Sequence, residues 1–381
     1  MEKIDLIMLS NLEQSGGGRE TWLKNFLDNI VVTDREIKFD LYTLETNEGC
    51  LLNEYNYNLV NKHKKYNHNK KKLPISIGFV SYMARNLVFK KKYSEHMLAV
   101  GGLEEALSGV LGYTIRNVKG KKILWLRTIY TKEKGYALNK ITQKILLTIE
   151  LLIIKHFFDI IIANGEDTAD FYRNLGVECV VIKNSIPLEK WNTLKSTRNH
   201  NKLKIAFIGR LTEVKGIQDF LDVISIIYDT GNIKDFEFHI VGDGPYAKEL
   251  EKYTELDEVI TYGAIHNSQV PDILKEMDCC VALTYLTDFL GGGGVSNALI
   301  EQMATGKILV CWDNNIFRKV LDEKSAYFVA QGDSQALAET FINIKNDLPT
   351  ADIKAICAKS LSHDYSIQNH VNNFFKLIQR D

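Results

Sequence analysis

The chain is poor in proline, has no closely spaced cysteine pair and contains no uninterrupted apolar run long enough for a bilayer. Five prolines in 381 residues and the absence of any low-complexity stretch exclude long disordered linkers. The six cysteines form no C-x-x-C pair, which removes the common zinc and redox motifs. Several lie inside apolar runs such as "CCVAL" and "ILVCW", so buried thiols in a reducing cytosol are expected. No D-x-D triplet or other carboxylate cluster stands ready for a divalent ion. The start, "MEKIDLIMLSNLEQ", carries acids and no h-region with a cleavage site, so no secretory signal is expected. The most apolar stretch, "ILLTIELLIIKHFFDIIIA", is interrupted by Glu150, Lys155, His156 and Asp159. A span needs about twenty mostly apolar residues, so this stretch predicts a buried helix running into a buried strand.

What is present is an ordinary globular composition, 45% hydrophobic and 25% charged, over a length that allows two domains with separate cores. The net charge of −1 conceals an asymmetry: residues 1–200 sum to +8 and residues 201–381 to −9. The basic excess gathers in "NKHKKYNHNKKK" (61–72), "KKK" (90–92) and "RNVKGKK" (116–122). This is either a solvated face or an attraction to an anionic surface, whether lipid headgroups or an acidic acceptor. Nucleic acid is not expected as a partner, because no recognition motif or interleaved aromatic platform accompanies the charge.

Both halves alternate short apolar runs with helix-period segments, the pattern of a parallel sheet wrapped by helices. Strands are expected at "IDLIML", "FDLYTL", "HMLAV", "KILWL", "DIIIAN" and "ECVVIKN". The pattern restarts at "LKIAFIGR" and continues through "FEFHIVG", "VITYG", "CCVAL" and "KILVCW". The polar stretch 184–201 reads as a linker. The fold class is therefore α/β, two Rossmann-like doubly wound domains facing across a cleft: 1–186, 187–361, and a C-terminal helix within 362–381 packing back toward the first. A ligand is expected near strand C-termini.

Two segments of the second half carry chemistry. "KIAFIGRLTEVKGI" sets Arg210 just after a strand and Lys215 at the mouth of a helix. Two cations beside helix amides can hold a diphosphate, although an exposed turn with incidental basic residues gives the same pattern. "GGGGVSNALIEQMATG" runs four glycines (Gly291–Gly294) into a helix that Gly306 should end. Bare backbone amides at a helix start admit an anion. Asn297 and Glu301, four apart, share one helix face, where the carboxylate can accept from a vicinal diol such as ribose. A hinge with a solvent-facing glutamate is the plainer alternative.

These segments, with "VGDGP" (241–245), "SGGGRETW", "IIANGEDTADFY" and "VIKNSIP", resemble the motifs of the GT-B retaining glycosyltransferases of glycosyltransferase family 4, over nearly the whole chain. The resemblance implies a GT-B fold and transfer of a sugar from a nucleoside-diphosphate sugar to a glycan or lipid-linked acceptor in cell-surface polysaccharide assembly. It assigns Arg210 and Lys215 to the donor diphosphate and leaving group, and Glu301 to the ribose. Gly16, Gly17, Gly18, Gly293, Gly294 and Asn297 are assigned to donor binding. It implies no metal and no cofactor, and a cytoplasmic enzyme, peripheral on the inner membrane face through its basic first domain.

Two departures stand out. The family places a first glutamate eight positions before the second; here that position is Gly293, with Asp288 as a substitute to consider. Where relatives offer a histidine in the first domain, this chain has Arg127 and Thr128. Arg127 reads equally as a ligand for an acceptor phosphate or carboxylate and as a structural arginine. His96 is expected to begin a strand, and His266 lies where relatives keep the base. The rival readings are a non-catalytic partner protein of the same fold, and a phosphorylase or sugar-nucleotide epimerase. A dehydrogenase is disfavoured because "GGG" at 16–18 fails the G-x-G-x-x-G spacing.

Overall fold

Short runs rich in Val, Ile and Leu can be buried on both faces only where helices cover both sides, and such strands pair in parallel. The computed structural model follows that rule. It describes residues 2–10, 18–30, 37–44, 57–63, 77–90, 94–115, 117, 119–135, 139–192, 201–253, 255–287 and 295–379. The chain divides into two units. The first comprises 1–185, 287–294 and 367–381; the second comprises 186–286 and 295–366.

The first unit holds strands β1 (Glu2–Ile7), β2 (Ile37–Leu44), β3 (Tyr57–His63), β4 (His96–Gly101), β5 (Lys121–Leu126), β6 (Ile160–Ala163) and β7 (Val180–Val181). They form a seven-stranded sheet in the order β3-β2-β1-β4-β5-β6-β7, all pairs parallel. The order reverses beside β1, so β1 and β4 flank a topological switch point where such sheets bind ligands. His96 begins β4, as its place in the sequence suggested. Helices Ile77–Val88, Leu103–Ile115 and Lys140–Phe157 contribute to the core under one sheet face. Gly18–Ile30 and Ile367–Ile378 cover the other.

The last helix is tied into the first unit by its histidine. His370 Nε2 accepts from Trp22 Nε1 at 2.9 Å, and Nδ1 lies 2.7 Å from the Lys183 carbonyl. The ring is thus a neutral tautomer with its proton on Nδ1, stacked on Trp125 at 4.9 Å. Burial, with the Arg127 cation nearby, pushes its pKa down to about 3 against the lesser pull of the Lys183 carbonyl.

The second unit has β8 (Leu203–Ile208), β9 (Phe236–Val241), β10 (Val259–Gly263), β11 (Cys279–Ala282), β12 (Ile308–Trp312) and β13 (Tyr327–Val329). Their order is β10-β9-β8-β11-β12-β13, again parallel. Cys279, Cys280 and Cys311 are buried in it as reduced thiols, as their apolar contexts predict. Burial alone raises the Cys311 thiol.

Two sequence expectations need correction. The described part of the segment read as a linker, from Ile186 to Trp191, is built into the second unit: Ile186 bridges Ser366, and Ile186, Leu188 and Trp191 are core residues. The stretch read as a buried helix is buried on one side only, because Lys140–Phe157 turns Ile141, Ile145, Ile149 and Leu152 to solvent. β3 and β13 were not expected as strands. Each lies at a sheet edge and pairs on one side, so neither needs a long apolar run.

Candidate functional site

In the second unit the loops leaving β8, β9, β11, β12 and β13 are tied to one another at the C-terminal edge of the sheet. Leu211 N–H donates to the Asp243 carbonyl at 3.0 Å, and Tyr246 N–H to the Leu211 carbonyl at 3.1 Å. Tyr285 N–H reaches the Val214 carbonyl at 2.9 Å. Asn314 Nδ2 donates both to the Thr284 carbonyl and to Gln331 Oε1. The glycines of two motifs are explained by this closeness. A Cβ on Gly242 would stand 1.8 Å from the Gly209 carbonyl oxygen. One on Gly216, whose φ of 72° already favours glycine, would stand 2.5 Å from the Leu283 carbonyl oxygen.

Onto this edge the chain projects its cations. Arg210 follows β8 and is exposed, and its side chain makes no hydrogen bond or ion pair among the described residues. Lys215 closes a one-turn 3-10 helix, Glu213–Lys215, directly before the helix Ile217–Asp229. Its ammonium donates to Thr284 Oγ1 at 3.2 Å and meets no carboxylate among the described residues. Burial, and then the Arg210 charge, hold its pKa below the ordinary lysine value. Two neighbouring cations with no described anion between them form a site of excess positive potential beside a helix start.

The helix Asn297–Ala304 leads into β12 from the same edge. It is N-capped by Ser296, whose side chain accepts from Leu299 N–H, and Gly306 follows its end with a φ of 67°. Asn297 Nδ2 is buried without a partner among the described residues. Glu301 is buried, and its carboxylate has no hydrogen-bond donor among the described residues. Burial pushes its pKa up to about 7, against the pull of the Lys190 cation. A buried carboxylate and a buried amide left unsatisfied on one helix face lack polar partners that a ligand could supply.

The other sequence-predicted residues are placed differently. Gly16, Gly17, Gly293, Gly294 and Asp288 lie outside the described residues. Gly18 opens the helix Gly18–Ile30, and a Cβ there would meet open space. Arg127 belongs to the first unit, buried after β5. Its guanidinium lies 4.6 Å from the Trp22 ring centroid, and Nη2 donates to Asn184 Oδ1 at 2.8 Å. Burial and the Arg19 charge lower its pKa to about 9, and Nε and Nη1 have no partner. His266 caps a short turn, its side chain accepting from Ser268 N–H.

Sequence reasoning missed Glu105 and Arg19. Buried Glu105 accepts from Leu9 N–H at 3.1 Å and Gly102 N–H at 3.0 Å, and pairs with Arg19 Nη2 at 2.9 Å. It thereby joins the ends of β1 and β4 to the helix that follows the glycine loop. The signal was "VGGLEEA", a glycine pair directly after a strand with an acid three residues on. A cavity of about 650 Å³ lined by Lys121, Asp159, Arg173 and Cys179 opens at the strand starts, the edge opposite to where such sheets bind ligands. Among the described residues no group of three or more His, Cys, Asp or Glu side chains could hold a metal.

The family described as Glycosyl transferases group 1 matches residues 202–347, which contain Arg210, Lys215, Asn297 and Glu301. The chain is 28% identical over 199 residues to a phosphatidyl-myo-inositol mannosyltransferase of Mycobacterium leprae, covering 51% of this chain and 52% of that protein. It is 27% identical over 170 residues to an amylovoran biosynthesis glycosyltransferase of Erwinia amylovora, covering 43% and 41%. It thus spans about half the length of the curated relatives it matches. Among solved structures it resembles sucrose-phosphate synthase of Thermosynechococcus elongatus, with a TM-score of 0.75, 16% identity and coverage of 99% and 98%. It also resembles Anabaena HepE, solved with UDP and glucose, with a TM-score of 0.72, 15% identity and full coverage of both chains. These likenesses show the GT-B fold that the motifs implied.

Proposed function

We propose, from the premise that residues 202–347 belong to the glycosyl transferases group 1 family, that this chain is a retaining glycosyltransferase of the family 4 type. It would transfer a hexose or related sugar from a nucleoside diphosphate without a metal ion. The observation that carries the reading is the set of unmatched polar groups on one strand edge: among the described residues, the Arg210 and Lys215 side chains meet no anion, the Glu301 carboxylate no donor and the Asn297 Nδ2 no acceptor. A nucleoside diphosphate supplies both needs, phosphate oxygens for the cations and ribose hydroxyls for the carboxylate.

The chemistry follows from those groups. The bond between the sugar's anomeric carbon and the diphosphate oxygen breaks, and the electron pair leaves with the diphosphate. Arg210 and Lys215 stabilise that growing charge, as preorganised cations do in a site that need not reorganise. The acceptor hydroxyl attacks from the same face, and its proton passes to the departing phosphate oxygen. This front-face course needs no enzyme nucleophile, so Gly293 in place of a first glutamate leaves it open. The acceptor is a glycan or glycolipid of cell-surface polysaccharide assembly, a reading supported by the names of the relatives above.

A thermal-shift series with UDP, GDP and ADP in EDTA tests this. Stabilisation by one nucleotide, reduced in Lys215→Ala and in Glu301→Ala, is the expected result. No shift with any nucleotide at millimolar concentration would instead favour a non-catalytic partner of the same fold.

A further inference from the structure

The basic runs that the sequence singled out are partly spent inside the first unit. Lys90 pairs with buried Asp5 and Asp40, and Lys122 with Asp159. A different surface carries free apolar area. On the helix Lys140–Phe157, Ile141 is 74% exposed, Ile145 53%, Ile149 39% and Leu152 53%. Spacings of four, four and three residues align them along one helix face. A monomer rarely leaves so continuous an apolar stripe uncovered.

The charge on that helix is one-sided. Lys140, Lys144, Lys155 and His156 are exposed with the stripe, and the one acid of the helix, Glu150, is buried with an acceptor oxygen on Tyr172 OH at 2.8 Å. Lysine is depleted in the cores of protein interfaces, yet here Lys144 stands beside Ile141 and Ile145. A lysine stem can lie along apolar surface while its ammonium reaches a phosphate. Apolar side chains with interspersed lysines and no acid are the pattern of a helix lying in a membrane interface. The neighbouring helix Leu103–Ile115, which shares the same core, adds exposed Leu111 and Ile115. Among the described residues no helix is long and apolar enough to cross a membrane.

We infer that the outer face of the helix Lys140–Phe157 docks on an anionic lipid surface, its isoleucine and leucine stripe entering the headgroup layer and its lysines meeting lipid phosphates. The helix begins at the strand-end edge of the first unit, so docking brings that edge to the bilayer, where a lipid-linked molecule would be found. Binding to lipid does not depend on the proposed transfer and can be read without it.

The test is cosedimentation of the whole chain with phosphatidylcholine vesicles and with vesicles containing about 30% phosphatidylglycerol. Wild type should pellet with the anionic vesicles only, and less as salt rises and screens the lysines. Ile145→Glu/Leu152→Glu should weaken this by about tenfold or more, since it removes apolar insertion and adds repulsion. Lys140→Glu/Lys144→Glu should weaken it as well. Unchanged melting and nucleotide binding would show that the variants fold, and Ile145→Ser/Leu152→Ser serves if the glutamates do not. Wild type that stays in the supernatant, or a glutamate variant that pellets equally, overturns the inference. So does a wild-type dimer in sedimentation velocity that the glutamate variant dissolves, because the stripe would then be a protein interface.

Discussion

Glu105 and Glu301 occupy similar places in the two units and live in opposite circumstances. Each is a buried glutamate on a helix that follows a glycine stretch after a parallel strand. Glu105 is saturated by two backbone N–H groups and the Arg19 guanidinium. Among the described residues Glu301 has the Lys190 charge nearby but no hydrogen-bond donor, and burial raises its pKa to about 7. The first carboxylate finishes a structure; the second leaves one unfinished. A buried charge that the protein itself does not satisfy costs stability. The same contrast separates Lys90, closed between Asp5 and Asp40, from Lys215, which among the described residues meets a threonine hydroxyl and another cation but no carboxylate.

The largest expected effect tests the open side of that comparison. Lys215→Ala or Arg210→Ala should lower kcat/KM for sugar transfer by about 10²–10³, the usual loss for one preorganised charge donor, with melting unchanged. Wild-type turnover in both would end the assignment. Next, Glu105→Gln should cost about 2–3 kcal/mol of stability in chemical denaturation, because a charge-assisted set of three donors is broken. Glu301→Gln should cost far less and instead weaken nucleotide binding. Equal losses of stability in the two would erase the distinction.

The pH dependence sharpens it further. The folded pKa of Glu301 lies above the ordinary 4.5 of a glutamate, so its contribution is intact below that pH and is lost as pH rises through about 7. Between those values the wild type should lose about 1.4 kcal/mol per pH unit relative to Glu301→Gln. Bound nucleotide should shrink the difference, since ribose donors favour the carboxylate. His370 works in the opposite direction: its folded pKa of about 3 lies below 6.5, so stability present above 6.5 is lost as pH falls toward 3. Relative to His370→Asn, the wild type should weaken over that window by about the same slope. The smallest effect is Gly18→Ala. Its Cβ meets open space, so stability should change by no more than about 0.5 kcal/mol.

Much of this was legible in the residues. The strands of both sheet interiors were readable because a parallel strand buried on two faces must be a continuous apolar run, and "KIAFI" or "KILVCW" has no other good use. Edge strands β3 and β13 escaped because one-sided pairing lifts that demand. Arg210 with Lys215, and Asn297 with Glu301, stood out as candidates because each pair lies within a few residues beside a helix start. Glu105 and Arg19 were not, because their meaning is an ion pair across 86 residues.

The sequence by itself therefore determined the two parallel α/β halves, the family motifs and the identity of the charged groups, since local periodicity and glycine spacing are written in neighbouring residues. Only the tertiary structure decided which charges are satisfied and which are left open, and that Lys140–Phe157 turns isoleucines outward rather than in. The reason is physical: satisfaction and burial are properties of what packs around a side chain, and those neighbours come from distant parts of the chain.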